Sequence, residues 1–359
     1  MRRSNSRLLR RTGLSTLTLR LWDFTGTALV NLFILLFLLL YLSPMSYMFI
    51  TALKSHNQLS DPRSPVWPAD AVTYQKDGKS YLLFKVPLES GTRVLALFES
   101  HTLYSLFIDP ADPQAEPIRW EGSWRKLEGI YRFSLHWENY VNLWNSMNYN
   151  QLFRNTLVVV GLGEVGILLS SIAVAYGFSR FRIPGGKFLF FLLIATIMIP
   201  DSITLVPSYF IYARVLKWSG SFLPLIVPQF FGSAIYIFLL RQNFKSIPRD
   251  LDEAAMLDGA GPLRILVSIV LPQAVPVVVT VALLQLFNAW NELRMASLYL
   301  STRQDLRTIA FSAQAFQSYG FTPEMLQASA VVLMIVPVVF LFLAQRFFIQ
   351  DMVVTGLEK

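Results

Sequence analysis

Asp250-Leu251-Asp252-Glu253-Ala254-Ala255-Met256-Leu257-Asp258-Gly259, followed after nine further residues by Ile269-Val270-Leu271-Pro272, reads as a short polar helix, a glycine stop and a hydrophobic continuation. Asp250 with Glu253 three residues on has the spacing of a capping box, in which two side chains satisfy orphan helix N–H groups. The acids favour the positive end of the helix dipole. Ala254 and Ala255 leave one face thin enough for close approach by another protein. Gly259 suits the left-handed conformation that ends a helix, and Pro262 the first turn of the next. That next helix runs through Ile265, Ile269 and Leu271, where Pro272 interrupts the hydrogen-bond ladder and predicts a kink. The layout is that of a docking loop which hands force to a soluble partner. A solvated loop with ordinary caps is the competing account.

Outward from this loop the chain is hydrophobic. Its 359 residues are 53% hydrophobic, 14% aromatic and 15% charged, against about 25% charged in an ordinary soluble domain. Stretches of about 20 apolar residues are needed to span a bilayer. Six qualify, near 27–53, 155–178, 187–213, 221–240, 265–290 and 328–348. The first is too long for a signal-peptide core and no small-residue cleavage site follows it, so it reads as a retained helix. The first 22 residues hold Arg2, Arg3, Arg7, Arg10, Arg11 and Arg20 and no acid before Asp23. Such a bias predicts a cytoplasmic N-terminus. Arg180, Arg182 and Lys187, then Arg241, Lys245 and Arg249, then Arg346 and Lys359 fall on the same side, so six spans return both termini to the cytoplasm and put the docking loop, near 245–264, there too.

The net charge of +8 is explained by arginine flanking helices rather than by a nucleic-acid partner. The basic tail, 1–26, is expected to be disordered or to lie on anionic lipid. With no cysteine there is no disulfide, thiolate metal site or Cys nucleophile. His56, His101 and His136 lack metal-ligand spacing.

Between the first two spans, residues 54–152 change character. Val72-Thr73-Tyr74, Asp77-Gly78 and Ser80-Tyr81-Leu82-Leu83-Phe84 read as a hairpin with a type I′ turn. Further strands are expected at Arg93 to Glu99, Thr102 to Ile108 and Ile130 to Ser134. A small β-rich insertion near 69–132 follows. Trp67, Trp120, Trp124, Tyr131, Trp137 and Trp144 either build its core and an interfacial belt or stack on sugars. The first account is favoured, because interfaces are rich in aromatics anyway.

With its full spacing, the segment Glu253-Ala254-Ala255, Gly259, Ile269-x-Leu271-Pro272 resembles the EAA loop of permease subunits of binding-protein-dependent ABC importers. Several flanking elements narrow the likeness to carbohydrate-uptake permeases of the MalG-like type. They are Lys54, Glu138-Asn139-Tyr140, Ala175-Tyr176 with Arg180-Phe181-Arg182 and Pro184-Gly185, Arg241-Gln242 with Phe244 and Ile247-Pro248, and Trp290-Asn291-Glu292. The likeness covers about 27–68 and 133–350. It departs at 69–132, which is longer than the family pattern, and in the tail 351–359, which keeps Gly356 and the final Lys without a small-residue run.

The resemblance implies an all-α polytopic type I ABC importer permease in a bacterial inner membrane, with a core at 153–350 that holds helices 2–6. It implies a second homologous permease, two ABC ATPase subunits that use ATP and Mg, and an extracytoplasmic solute-binding protein. No cofactor is expected on this chain. By that likeness Glu253, Ala254, Ala255, Asp258, Gly259, Ile269, Leu271 and Pro272 carry coupling to the ATPase, and the cargo is a sugar or oligosaccharide. A phosphorylated polyol is the alternative cargo.

Gly161-Leu162-Gly163-Glu164-Val165-Gly166 matches a dinucleotide-binding pattern but sits inside a span with no strand before it, so helix packing explains it. No Walker A sequence occurs, and no paired carboxylates or Ser/His/Asp set suggests an enzyme. Glu164 and Asp201, acids in or beside spans, are pathway or gate candidates. Gln285, Asn288 and Glu292 share one helical face that points either to a water-filled route or to interhelical hydrogen bonds. A secondary transporter would show inverted repeats with broken helices, and none is visible.

Overall fold

The computed structural model describes residues 16–88, 91–101, 103–315 and 320–356. Most of the basic tail, Thr102 and the last three residues therefore lie outside the described residues. The chain forms two compact units, one of residues 1–54 and 61–134, the other of 55–60 and 135–359.

The first unit holds helix α1 (Thr16–Ala52) and eight strands: β1 (Ala69–Ala71), β2 (Thr73–Lys76), β3 (Lys79–Leu88), β4 (Gly91–Ser100), β5 (Tyr104–Ile108), β6 (Ile118–Glu121), β7 (Glu128–Gly129) and β8 (Tyr131–Phe133). One sheet runs β2-β3-β4-β5-β6, with β7 also on β3, and β1 pairs separately with β8. The β2–β3 turn has φ of +52° at Asp77 and +74° at Gly78, the two positive values that a type I′ turn requires. Alternation places Phe84, Val86, Leu95 and Phe107 on one face, where Leu127, Trp120 and Trp124 cover them. Those two tryptophans are thus core residues, while Trp67 is exposed. Asp61 ties the entry segment to β8 by accepting the Tyr131 hydroxyl at 2.9 Å and the Arg63 backbone N–H at 3.0 Å.

The second unit is helical. In order it contains α2 (His56–Ser60), α3 (Glu138–Ser146), α4 (Tyr149–Arg180), α5 (Gly186–Ala195), α6 (Asp201–Tyr209), α7 (Leu223–Ile226), α8 (Ala234–Ser246), α9 (Asp250–Leu257), α10 (Pro262–Ile265), α11 (Leu271–Gln273), α12 (Val275–Trp290), α13 (Arg294–Leu300), α14 (Ile309–Ala315) and α15 (Pro323–Gly356). Among the described residues, four helical stretches are long and apolar enough to cross a membrane: Thr25–Ala52, Tyr149–Arg180, Leu223–Ser246 and Pro323–Phe347.

Two expected straight spans are broken. Gly186–Met198 meets Asp201–Val215 at 92°, and Pro262–Gln273 meets Val275–Trp290 at 83°. The first break falls at Ile199-Pro200, both extended, because a residue before proline is driven out of the helical region. The second falls at Ala274, two residues beyond the kink expected at Pro272. Pro272 acts upstream instead: a widened π turn over Leu266–Val270 accommodates a proline that cannot donate to the ladder.

Side chains from α4, α8, α10 and α12 meet in one core built around Tyr176, Tyr236, Ile237, Leu240, Phe244, Ile265, Val270 and Val281. Trp290, 1% exposed, ends α12 and donates its indole N–H to the Leu333 carbonyl at 2.8 Å, which fastens α12 to α15.

Candidate functional site

Helix α9 projects from this core as a short, mostly exposed rod. The capping box is not formed. Arg249 occupies the N-cap position with helical dihedrals and makes no side-chain cap bond, and its carbonyl accepts the Glu253 N–H at 3.0 Å. Because the turn begins one residue early, Asp250 becomes the first helical residue. The dipole argument survives, since Asp250, Asp252 and Glu253 all fall in the first turn.

At the other end the Gly259 N–H reaches the Met256 carbonyl at 3.0 Å and the Ala260 N–H reaches Ala255 at 2.9 Å. With φ of +79° at Gly259, this is a Schellman stop. Pro262 then opens α10, with Gly261 as N-cap.

Glu253, Ala254, Asp258 and Gly259 are exposed and Ala255 is half-buried. Leu257, 90% exposed, with Met256 and Leu263, gives the loop an uncovered apolar tip. Ile269 and Leu271 instead pack against the core, while Pro272 is exposed. The eight coupling candidates thus divide between a presented surface and its anchorage.

One residue of α9 faces inward: Asp252, the helix's buried side chain. Its Oδ2 lies 2.9 Å from Nε of Arg180, the last residue of α4, with the two side chains 8% and 6% exposed. Arg180 also donates to the Ile247 carbonyl at 3.2 Å, Arg249 donates to the Ser179 carbonyl at 3.1 Å, and the Tyr176 hydroxyl donates to the Pro262 carbonyl at 2.9 Å. In the sequence Arg180 marks topology and Asp252 complements the helix dipole. Neither role requires burial, and charges seventy-odd positions apart carry no local pattern to pair them.

A second site lies among the helices. Asp201, Gln285, Asn288 and Glu292 line one cavity of about 270 Å³ together with Gln229 and Arg294. Gln285 donates to the Gln229 side-chain oxygen at 3.3 Å, and Asn288 donates to the Tyr236 hydroxyl at 3.1 Å. Asp201 and Arg294 approach to 3.3 Å as an exposed pair. Glu292 is not on the helical face expected of it: α12 ends at Trp290, and the Glu292 carboxylate accepts the Met295 N–H at 2.8 Å, capping α13. Glu164 is outside the lining set. Both of its carboxylate oxygens are buried without a hydrogen-bond partner.

Of the glycines in the dinucleotide-like pattern, Gly166 and Gly163 face Phe230 and Gln229, whereas Gly161 has open space beside it. The pattern is a packing surface over part of its length.

Residues 166–354 match the family described as the binding-protein-dependent transport system inner membrane component, more than half of the chain. The chain belongs to that family. As an ABC importer permease, this inner membrane component is 29% identical over 280 residues to the osmoprotective compounds uptake permease protein GgtD of Synechocystis sp., which is 77% of this chain and 93% of that one. It is 28% identical to the melibiose/raffinose/stachyose import permease protein MelC of Bacillus subtilis, over 62% of this chain and 81% of that one. The permease fold resembles a chain from the crystal structure of a bacterial ABC transporter involved in the import of the acidic polysaccharide alginate. The TM-score is 0.59 at 19% identity, covering 93% of this chain and 99% of that one.

Proposed function

We propose that this permease is the translocating half of an ATP-driven importer for a sugar or oligosaccharide, working by alternating access. In this reading each bent pair counts as one span, giving six, with both termini and the loop around α9 in the cytoplasm and the strands β1–β8 outside. A second homologous permease, two ABC ATPase subunits and an extracytoplasmic solute-binding protein complete the assembly. ATP and Mg are used by the ATPase partners.

The observation that carries the reading is the build of α9: an exposed face of Glu253, Ala254 and Gly259 with an apolar tip at Leu257, held from behind by buried Asp252. Such a surface suits insertion into a partner's cleft, and nucleotide-driven closure there would move the helices to which the loop is fastened. The polar cavity around Gln285 and Asn288 suits a hydroxyl-rich solute, and relatives such as MelC are named for sugars. The relative named for osmoprotective compounds supports a non-sugar solute as a second reading.

The test is to tag the chain, express it with its native neighbours and identify by mass spectrometry what co-purifies in mild detergent. A stoichiometric ATPase and second permease support the importer. A lone chain or homo-oligomer overturns it in favour of a secondary transporter.

A further inference from the structure

We infer that Arg180 is a positioning residue for coupling, acting through Asp252 as a rigid strut that passes motion of α9 directly into α4. The inference rests on the docking reading of α9 and extends it to a residue outside the EAA pattern.

Chain order alone would send force from α9 into its neighbours, α8 before it and α10 to α12 after it. Both of those routes are compliant. The route forward crosses the π turn at Leu266–Val270 and the 83° break at Ala274. The route backward crosses Ile247-Pro248, where Ile247 is extended. The strut bypasses them. Asp252 is the buried residue of α9, and Arg180 Nε stands 2.9 Å from it at the end of an unbroken helix of 32 residues.

The surrounding bonds share this geometry. The last turn of α4 holds the loop at its entry through Ile247 and Arg249 and at its exit through Pro262. A push on the exposed face of α9 is therefore resisted at both ends of the loop by the same helix. The same α4 carries Gly163 at the polar cavity, so the strut connects the presented surface to a cavity wall through one rigid rod.

Electrostatics makes the connection stiff. Arg180 Nε and Nη2 and Asp252 Oδ1 are buried with no hydrogen-bond partner, so the contact between the two side chains is one of charge alone, and each charge depends on the other for compensation. Separating such a pair would leave two buried charges uncompensated, which is strongly unfavourable.

Two measurements test this on the assembled complex in proteoliposomes. The first replaces the pair by Arg180→Met with Asp252→Leu, which removes both buried charges together and avoids orphaning either. The double variant is expected to retain its ATPase partner while uptake per ATP hydrolysed falls by about tenfold or more, the size of a typical allosteric coupling. Glu253→Lys serves alongside as the docking control. Lost uptake in Glu253→Lys with normal uptake per ATP in the double variant overturns the strut alone. Normal uptake in both overturns the docking reading and the strut with it.

The second measurement does not depend on the folding of that variant. The chain has no cysteine, so with partner subunits also free of cysteine, spin labels can be placed uniquely at Met256→Cys and Phe181→Cys. The strut predicts that the distance between them stays constant between nucleotide-free and ATP-trapped states. A distance that changes with nucleotide overturns it.

Discussion

A β carbon built on Gly166 would lie 2.6 Å from Cδ2 of Phe230, so α4 and the turn over Val227–Phe231 meet ring against backbone. Close helix contacts in membranes depend on small residues of this kind. Gly166→Val is expected to destabilise the permease by about 1–3 kcal/mol, the usual cost of overpacking, while Gly161→Ala, with nothing within 4 Å, is neutral. Thermal unfolding of the two variants in detergent checks the contrast, and equal midpoints would refute it.

Glu253→Lys changes an exposed side chain, so membrane insertion and unfolding temperature should be unaffected while ATP-dependent uptake is abolished. Gly259→Asp should also lose uptake, with an added stability cost, because a non-glycine residue at φ +79° is strained. Uptake in vesicles, read beside the amount of inserted protein, separates the two effects.

The Asp201–Arg294 pair is exposed, and such pairs contribute about 0–1 kcal/mol. Arg294→Ala is therefore expected to leave stability nearly unchanged and to alter the concentration dependence of uptake; Gln285→Ala and Asn288→Ala at the same cavity should alter that dependence too, with a stability cost from their lost hydrogen bonds. If all three variants transport with wild-type concentration dependence, the cavity is not on the solute route.

The Asp61–Tyr131 bond gives the sheet unit a defined pH response. Burial alone would raise the Asp61 carboxyl. Hydrogen bonds from the Arg63 backbone, the Arg63 guanidinium and the Tyr131 hydroxyl, with the Arg63 charge, outweigh it and hold the group below its usual range. A depressed carboxylate stabilises the fold above its unfolded pKa, and that contribution is lost as pH falls through the folded value. Tyr131 runs the other way. Burial first, then the bond and charge of Asp61, push it up to about 12, so its contribution is present below the ordinary phenol pKa and lost as pH rises through about 12. Asp61→Asn should be less stable than wild type at neutral pH, and the gap should close on acidification below the carboxylate range. A gap that persists in acid would contradict the assignment. Chemical denaturation at stepped pH measures it.

Much of this was legible in the residues. The Asp77-Gly78 turn and the alternation that follows announce the hairpin, because positive φ and period-two burial are local properties. The stop after α9 and the start of α10 were legible for the same reason: Gly259 and Pro262 punctuate wherever they stand. The buried partnership of Arg180 with Asp252 was not, since it depends on where two distant segments meet. The breaks at Pro200 and Ala274 lie beside prolines that mark a bend in the sequence, but the apolarity on either side reports burial or lipid contact and says nothing of the angle. Glu292 was misassigned to a helical face because the end of α12 at Trp290 has no glycine or proline to mark it.

The strut also bears on how the chain is made. Arg180 leaves the ribosome well before Asp252, so for an interval the second membrane helix carries an arginine whose neutralising acid does not yet exist. An arginine without its acid is costly to bury, so the buried environment of Arg180 is complete only once α9 has been made. The order of synthesis therefore separates the two halves of the pair, and a chain truncated before residue 252 would display Arg180 without the carboxylate that faces it in the finished fold.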